Sequence, residues 1–360
     1  MEKIRVLVVD DSLVVRRVVT EELTTQADLE VVGAAANGRI ALEKMAELNP
    51  DLVILDIEMP DMDGLTALTH LHKSHPKTPV IMFSSLTELG AAATLEALSR
   101  GASDFFAKPI GPGGLEASRQ IIRTELIPAI RALCAPKSPP KASVKILPKA
   151  SPSAIAPAAP SSTLPKSRID LLVIGASTGG PNALAEIFSA LPADLPVPIL
   201  VVQHMPPMFT QMLAERLTKQ SHFPTAEATS GIELTPGNAL VAPGDYHLVV
   251  TREGARVCTK IHQEPHENAC RPAVDPLFRS VASIYGKNTL AVVLTGMGQD
   301  GLRGCEAIRA QGGQILAQDE ATSVVWGMPG FVARAGLADR VLPLPMIASE
   351  IVRRIRGGRA

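Results

Sequence analysis

The chain has 360 residues, of which 46% are hydrophobic but only 3% aromatic, enough apolar material for two or three domains with aliphatic cores. A formal net charge of −1 argues against broad binding to nucleic acid or anionic membranes. Cys134, Cys258, Cys270 and Cys305 contain no CxxC pair and are few for a secreted disulfide scaffold. Acids follow Met1 too soon for a secretory segment, and no apolar run reaches bilayer length. A soluble cytoplasmic protein, not inserted in a membrane, is expected.

Residues 4 to 133 alternate strand and helix. Ile4–Val9 is an apolar strand, and Ser12 is placed to cap a helix running to about Thr24. Glu30–Ala35, Asp51–Leu55, Pro79–Ser84 and Ser103–Ala107 read as four further strands. Helices are expected near Arg39–Leu48, Leu65–Ser74 and Leu89–Ser99, with a last one over Leu115–Leu133. Strands joined by helical crossovers imply a parallel sheet, and such sheets gather ligands at the carboxyl ends of their strands. Asp10 and Asp11 end the first strand, Asp56 ends the third, Ser84 the fourth, and Lys108-Pro109 follows the fifth. Three convergent carboxylates repel one another unless a cation neutralises them, and an all-oxygen, partly hydrated site suits Mg²⁺. Lys108 adds a positive charge able to stabilise a phosphoryl group on one carboxylate.

VVDDS (Val8–Ser12), LDIEMPDMDG (Leu55–Gly64), Ser84 and Lys108-Pro109 together resemble a response-regulator receiver domain, over residues 1–125 with the helix continuing to about 133. That resemblance implies a flavodoxin-like, five-stranded fold with Asp56 as phosphoacceptor. It also implies Mg²⁺ held by Asp10, Asp11, Asp56 and the Glu58 carbonyl, with a histidine kinase as phosphodonor. Ser84 and Phe105 would be the switch pair, Phe105 standing where many receivers carry Tyr.

Residues 134–167 are rich in Pro, Ala, Ser and Lys, a composition that buries too little apolar surface to order itself and reads as an extended linker. A second α/β unit, residues 168–360, follows. Its expected strands are Leu171–Ile174, Pro198–Gln203, Thr289–Gly296 and Gln314–Asp319, with a hairpin of Tyr246–Thr251 and Ala255–Lys260. Helices are expected near Pro181–Leu191, Met208–Lys219, Ala273–Tyr285, Gly301–Gln311 and Pro345–Arg354. The sheet should be mostly parallel, with the hairpin as an antiparallel insertion.

Asp170–Gly180 reads DLLVIGASTGG. A Gly-x-Ser-x-Gly turn between strand and helix projects a serine hydroxyl as a nucleophile, whereas a glycine-rich turn at a helix start also suits phosphate. The second pattern lacks the Gly-x-Gly-x-x-Gly order and the P-loop lysine, and the next strand ends in Gln203-His204 rather than an acid. Ser177, His204 and the segment Gly296–Asp300 all follow strand ends. Serine needs an imidazole to take its proton, and the imidazole needs a carboxylate to orient it. The order Ser, His, Asp differs from the Ser, acid, His of α/β-hydrolases.

GASTGG, QHM (Gln203–Met205), RPAVDPLF (Arg271–Phe278) and LTGMGQDG (Leu294–Gly301) resemble the catalytic domain of the CheB protein-glutamate methylesterase family, and the receiver–linker–esterase order matches that family. The resemblance implies Ser177 as nucleophile, His204 as base, Asp300 as orienting acid, the Met297 N–H at the oxyanion, and Thr178 in support. It implies methylated chemoreceptor cytoplasmic domains as substrate, release of methanol, deamidation of glutamine, and no cofactor in the esterase site. Ala273 departs from the family's usual Ser. A regulator with a nucleic-acid-binding output would require a basic recognition helix, which these segments lack; a nucleotide-binding output is the other alternative. His247, His262 and His266 read as surface or hairpin residues. Cys258, His262, His266 and Cys270 have a zinc-like spacing, but the Pro265-containing loop and the family resemblance speak against a metal there.

Overall fold

The computed structural model describes residues 3–85, 87–108, 114–135 and 168–358. Pro109 and all but the first two residues of the expected linker lie outside them. The N-terminal unit runs β1 (Ile4–Val9), α1 (Leu13–Thr24), β2 (Leu29–Ala35), α2 (Gly38–Leu48), β3 (Leu52–Asp56), α3 (Gly64–Ser74), β4 (Val80–Ser84), α4 (Glu88–Ser99) and β5 (Asp104–Ala107). Each of the first four helices starts on a side chain that accepts from a backbone N–H three residues on: Ser12, Asn37, Asp63 and Thr87. The strands pair in parallel in the order β2-β1-β3-β4-β5, and Val6–Val9 and Leu52–Leu55 are fully buried between the helical layers. The expected single last helix is instead α5 (Gly114–Ile121), a wider turn over Ile122–Leu126, and α6 (Ile127–Cys134). Pro128 is the cause: its ring clashes with the carbonyl four residues back and it brings no N–H, so the ladder widens just before it.

The C-terminal unit contains β6 (Leu171–Ala176), α7 (Gly180–Ala190), β7 (Ile199–Gln203), α8 (Phe209–Gln220), β8 (Thr225–Glu227), β9 (Ala239–Val241), β10 (His247–Glu253) and β11 (Arg256–His262). It continues with α9 (Val274–Tyr285), β12 (Thr289–Val293), α10 (Leu302–Ala310), β13 (Gln314–Gln318), α11 (Met328–Arg334), β14 (Arg340–Leu342) and α12 (Leu344–Gly357). Seven strands pair in parallel in the order β14-β13-β12-β6-β7-β9-β8, and β10-β11 forms a separate antiparallel ribbon. From β6 the chain winds outward through β7, then returns to β12 on the other side. The crevice at the carboxyl ends of β6, β7 and β12 is therefore a topological switch point, where open α/β sheets place their ligands.

The two units share apolar packing. One cluster of buried residues runs from Leu98 and Phe105 to Phe209 and Leu213 across the boundary. The Phe105 and Phe209 rings stack with centroids 4.8 Å apart and planes 10° off parallel. Asn182 Nδ2 donates to the Leu98 carbonyl at 2.7 Å, and Arg216 reaches both Asn182 Oδ1 at 3.1 Å and the Leu95 carbonyl at 3.4 Å.

Candidate active site and receiver carboxylates

The turn between β6 and α7 is closed by Gly180 N donating to the Ser177 carbonyl at 2.7 Å, and Gly179 takes a left-handed φ of +77° there. Ser177 N donates to the Thr295 carbonyl at 3.0 Å, tying the turn to the end of β12. Gly296 approaches so closely that a Cβ on it would lie 2.8 Å from the Ser177 Cβ, so any side chain at 296 would displace the serine. From the end of β7, buried Gln203 donates its Nε2 to the Ser177 carbonyl at 3.0 Å and to the His204 carbonyl at 3.3 Å. One amide thus holds the backbone of both residues.

His204 Nε2 lies 2.7 Å from Asp300 Oδ2. Asp300 is buried, yet it also accepts from Val274 N (2.6 Å), Asn268 Nδ2 (2.8 Å), Gly301 N (2.9 Å) and Asp275 N (3.1 Å). Burial raises its pKa, but His204 and the backbone donors outweigh burial and hold it below the usual carboxylate range. Two of those donors are the first N–H groups of α9, so Asp300 caps that helix from another element. Ala273 stands at the cap position without a side chain to offer. Asp275 lies alongside, its pKa raised by burial, accepting from Gly304 N at 2.7 Å and sharing Asn268 Nδ2 at 2.9 Å.

The other ring nitrogen of His204, Nδ1, lies 3.4 Å from Cys270 Sγ. Burial disfavours the charged ring, but the Cys270 sulfur and the Asp300 carboxylate prevail and push its pKa up to about 10. The Ser177 hydroxyl has no hydrogen-bond partner among the described residues. The structure therefore pairs His204 with Asp300 and sets Ser177 on the neighbouring turn, without a bond between serine and imidazole. Beyond β12, the Gly296 carbonyl accepts from Gly327 N and Met328 N at 3.1 and 2.8 Å, while the Met297 N–H has no acceptor among the described residues. Thr178 turns the other way: its hydroxyl donates to Asp104 Oδ2 of β5 at 2.6 Å.

In the N-terminal unit one carboxylate oxygen from each of Asp10, Asp11 and Asp56 falls within 4.8 Å of the others. Asp10 Oδ1 accepts from Ser12 N at 2.8 Å, but the buried Asp10 Oδ2 has no hydrogen-bond donor. Lys108 Nζ sits 2.6 Å from Asp56 Oδ2 and 3.5 Å from Asp10 Oδ2. Burial pushes the Asp56 pKa up to about 6 despite the lysine. An orphaned oxygen amid three hard carboxylates fits a hydrated divalent cation. Glu58 N donates to Asp56 Oδ1 at 3.3 Å. Buried Ser84 donates to the Gly90 carbonyl at 3.0 Å, and its expected partner Phe105 is stacked on Phe209.

A family model for the response regulator receiver domain matches residues 6–120, and one for the CheB methylesterase matches residues 172–351. A protein-glutamate methylesterase/protein-glutamine glutaminase of Trichodesmium erythraeum is 50% identical over 355 residues, covering 99% of this chain and all of that one. A protein of the same name from a Nocardioides species is 52% identical, covering 99% of this chain and 96% of its own. The chain belongs to the CheB methylesterase family. The crystal structure of the CheB methylesterase catalytic domain of Thermotoga maritima, 43% identical, superposes with a TM-score of 0.51, covering 51% of this chain and 98% of that domain.

Within this CheB-family chain several contributors to the site escaped the sequence reading. Gln203 entered there as part of the QHM segment and as evidence against a dinucleotide site, with no part in holding the turn, although a polar side chain ending an apolar strand was itself a signal. Asn268 carried no local signal, and Cys270 was marked only by its place in the zinc-like spacing. The zinc-like spacing does not assemble: Cys258 is buried on β11, Cys270 faces His204, and among the described residues Asp10, Asp11 and Asp56 are the candidate metal cluster. His247, expected at the surface or in the hairpin, opens β10 fully buried, with Nδ1 accepting from Ala273 N at 3.2 Å and Nε2 on the Pro265 carbonyl at 3.1 Å.

Proposed function

We propose that this chain is a phosphorylation-controlled serine esterase that hydrolyses glutamate O-methyl esters on the cytoplasmic helices of chemoreceptors. The reading rests above all on the His204–Asp300 pair standing beside the Ser177 turn, at the switch point of the sheet. Asp300 accepts only, so it fixes the proton on His204 Nε2 and leaves Nδ1 as the basic nitrogen. Ser177 Oγ attacks the ester carbonyl as His204 Nδ1 takes its proton, and the Met297 N–H receives the developing oxyanion. Methanol departs with that proton, and water activated by the same nitrogen releases the glutamate carboxylate from Ser177. A glutamine amide shares the tetrahedral intermediate, so deamidation by the same residues follows. No step calls on a cofactor.

Asp56 is the proposed phosphoacceptor, with a chemotaxis histidine kinase as donor. Asp10, Asp11, Asp56 and the Glu58 carbonyl would hold Mg²⁺, which neutralises phosphoryl charge when bound, and Lys108 would pair with the phosphoryl oxygens. Residues 1–125 would then be the receiver, 134–167 the linker and 168–360 the esterase. The receiver's hold on Thr178, next to the proposed nucleophile, and on Phe209 at the start of α8 supports a receiver that restrains the site until Asp56 is modified, with Ser84 and Phe105 moving on that event. Full inversion of such an equilibrium needs roughly 5.5 kcal/mol of differential stabilisation, so partial activation is expected. Both named partners act at the cytoplasmic side, and no helix among the described residues is long and apolar enough to cross a membrane.

The test is methanol release from methyl-esterified receptor membranes, with and without a small-molecule phosphodonor, for the wild type and Ser177→Ala. Release that rises with phosphodonor and is lost in the variant supports the reading; release that persists in Ser177→Ala removes the nucleophile.

A further inference from the structure

Glu267 and Cys270 pair through two backbone bonds, Glu267 N to the Cys270 carbonyl (3.1 Å) and Cys270 N to the Glu267 carbonyl (2.9 Å). Between them Asn268 and Ala269 both take left-handed φ angles, +52° and +63°, the signature of a tight two-residue reversal. This turn delivers two side chains into the site: Asn268 bridges the Asp275 and Asp300 carboxylates, and Cys270 meets His204 Nδ1.

We propose that Cys270 is a positioning residue of the esterase, its thiol occupying the ring nitrogen of His204 that has to accept the serine proton. The inference rests on the roles given above to Ser177, His204 and Asp300. With Nε2 committed to Asp300, the only lone pair on the imidazole is at Nδ1, and a thiol at 3.4 Å donates to it. A base whose lone pair is already engaged must first part from Cys270, in keeping with a Ser177 hydroxyl that finds no partner in this arrangement. The contact has a second form in which the sulfur proton passes to Nδ1, breaking S–H and forming N–H to leave thiolate beside imidazolium, with no other reactant. Both forms keep the nitrogen from Ser177, and the second favours the protonated ring, which cannot serve as a base. Half-buried Cys270 is open to reagents from the exposed Asn268–Ala269 side of the turn.

Two experiments on the full-length protein test this. The first follows carboxamidomethylation of Cys270 by iodoacetamide against pH, read on its own peptide by mass spectrometry, in the wild type and His204→Gln. If imidazole and thiol share a proton, Cys270 of the wild type is alkylated several-fold faster than Cys270 of His204→Gln across the pH range followed. The second compares kcat/KM for methanol release against pH in the wild type, Cys270→Ala and Cys270→Ser. Loss of the thiol in Cys270→Ala should move the acid limb by about half a unit or more, downward where thiolate beside imidazolium prevails and upward where the neutral thiol donates, because kcat/KM reports the free enzyme's base. The serine variant, close in volume, guards against a packing defect in the alanine. Superimposable labelling profiles overturn the inference, as do unmoved acid limbs in an active wild type. A wild type that releases no methanol overturns the esterase reading, and the role of Cys270 falls with it.

Discussion

Each unit brings two buried carboxylates together near the carboxyl ends of its strands, Asp10 with Asp56 and Asp275 with Asp300, and it is Asp56 and Asp300 that are treated in opposite ways. Asp300 accepts four N–H donors besides His204, and these hold its pKa down. Asp56 has Lys108 and one long backbone bond, Asp10 keeps an oxygen with no donor, and burial pushes Asp56 up to about 6. Both sites sit at strand ends over a switch point, so topology does not separate them. The supply of protein donors does: a carboxylate already solvated by the chain orients a neighbouring residue, whereas one left short of donors waits for a cation or a phosphoryl group.

The comparison is tested most severely by Asp300→Asn. The amide sets an N–H₂ among donors that need an acceptor and no longer fixes the His204 tautomer. A fall in kcat of about a thousandfold to ten-thousandfold is expected, with a loss of about 1–3 kcal/mol in urea unfolding from the unpaired donors. Retained activity would mean that Asp300 caps α9 and does nothing more. Next in size is Phe105→Ala, which removes the stack on Phe209. A receiver that restrains the esterase should loosen, and methanol release without phosphodonor should rise about tenfold, the equivalent of about 1.4 kcal/mol of stacking and apolar contact. An unchanged basal rate would remove Phe105 from the restraint.

Asp56→Asn should abolish the response to phosphodonor yet leave the fold as stable as before or more so, the reverse of Asp300→Asn. The sign follows from linkage. A carboxyl whose folded pKa lies above its unfolded value of 3.8 contributes stability fully present below that value and lost as pH rises through the folded value near 6. The melting temperature of Asp56→Asn should therefore gain on the wild type between about pH 4 and pH 6, with the gap level above that range. A gap that narrows over that interval would contradict the assignment. Mg²⁺ should raise the wild-type melting temperature and not that of Asp10→Asn; saturation at a hundredfold excess over Kd corresponds to about 2.7 kcal/mol.

Much of this was legible in the chain. The VVDDS and GASTGG segments announce themselves because a parallel strand is a continuous apolar run and its end is marked by polar or glycine residues. The elements missed are those without such a pattern: β8, β9 and β14 have three residues each, too few for periodicity, and α11 follows a turn whose form is set by the Gly296 carbonyl. Asn268 and Cys270 lie in the turn between β11 and α9, about ninety residues along the chain from the Ser177 turn, and only the packing of the ribbon and α9 brings them to Asp300 and His204. Phe105 shows the same limit, since the sequence placed it in a switch while its stacking partner lies in the other unit.

The apolar cluster that crosses from Phe105 to Phe209 has a thermal consequence. Parting the two units would expose that surface to water and raise the heat capacity of the separated form. Attraction of this kind weakens on cooling, so the restraint on the esterase would slacken in the cold. An esterase so restrained would show an unphosphorylated output that depends on temperature as well as on its kinase.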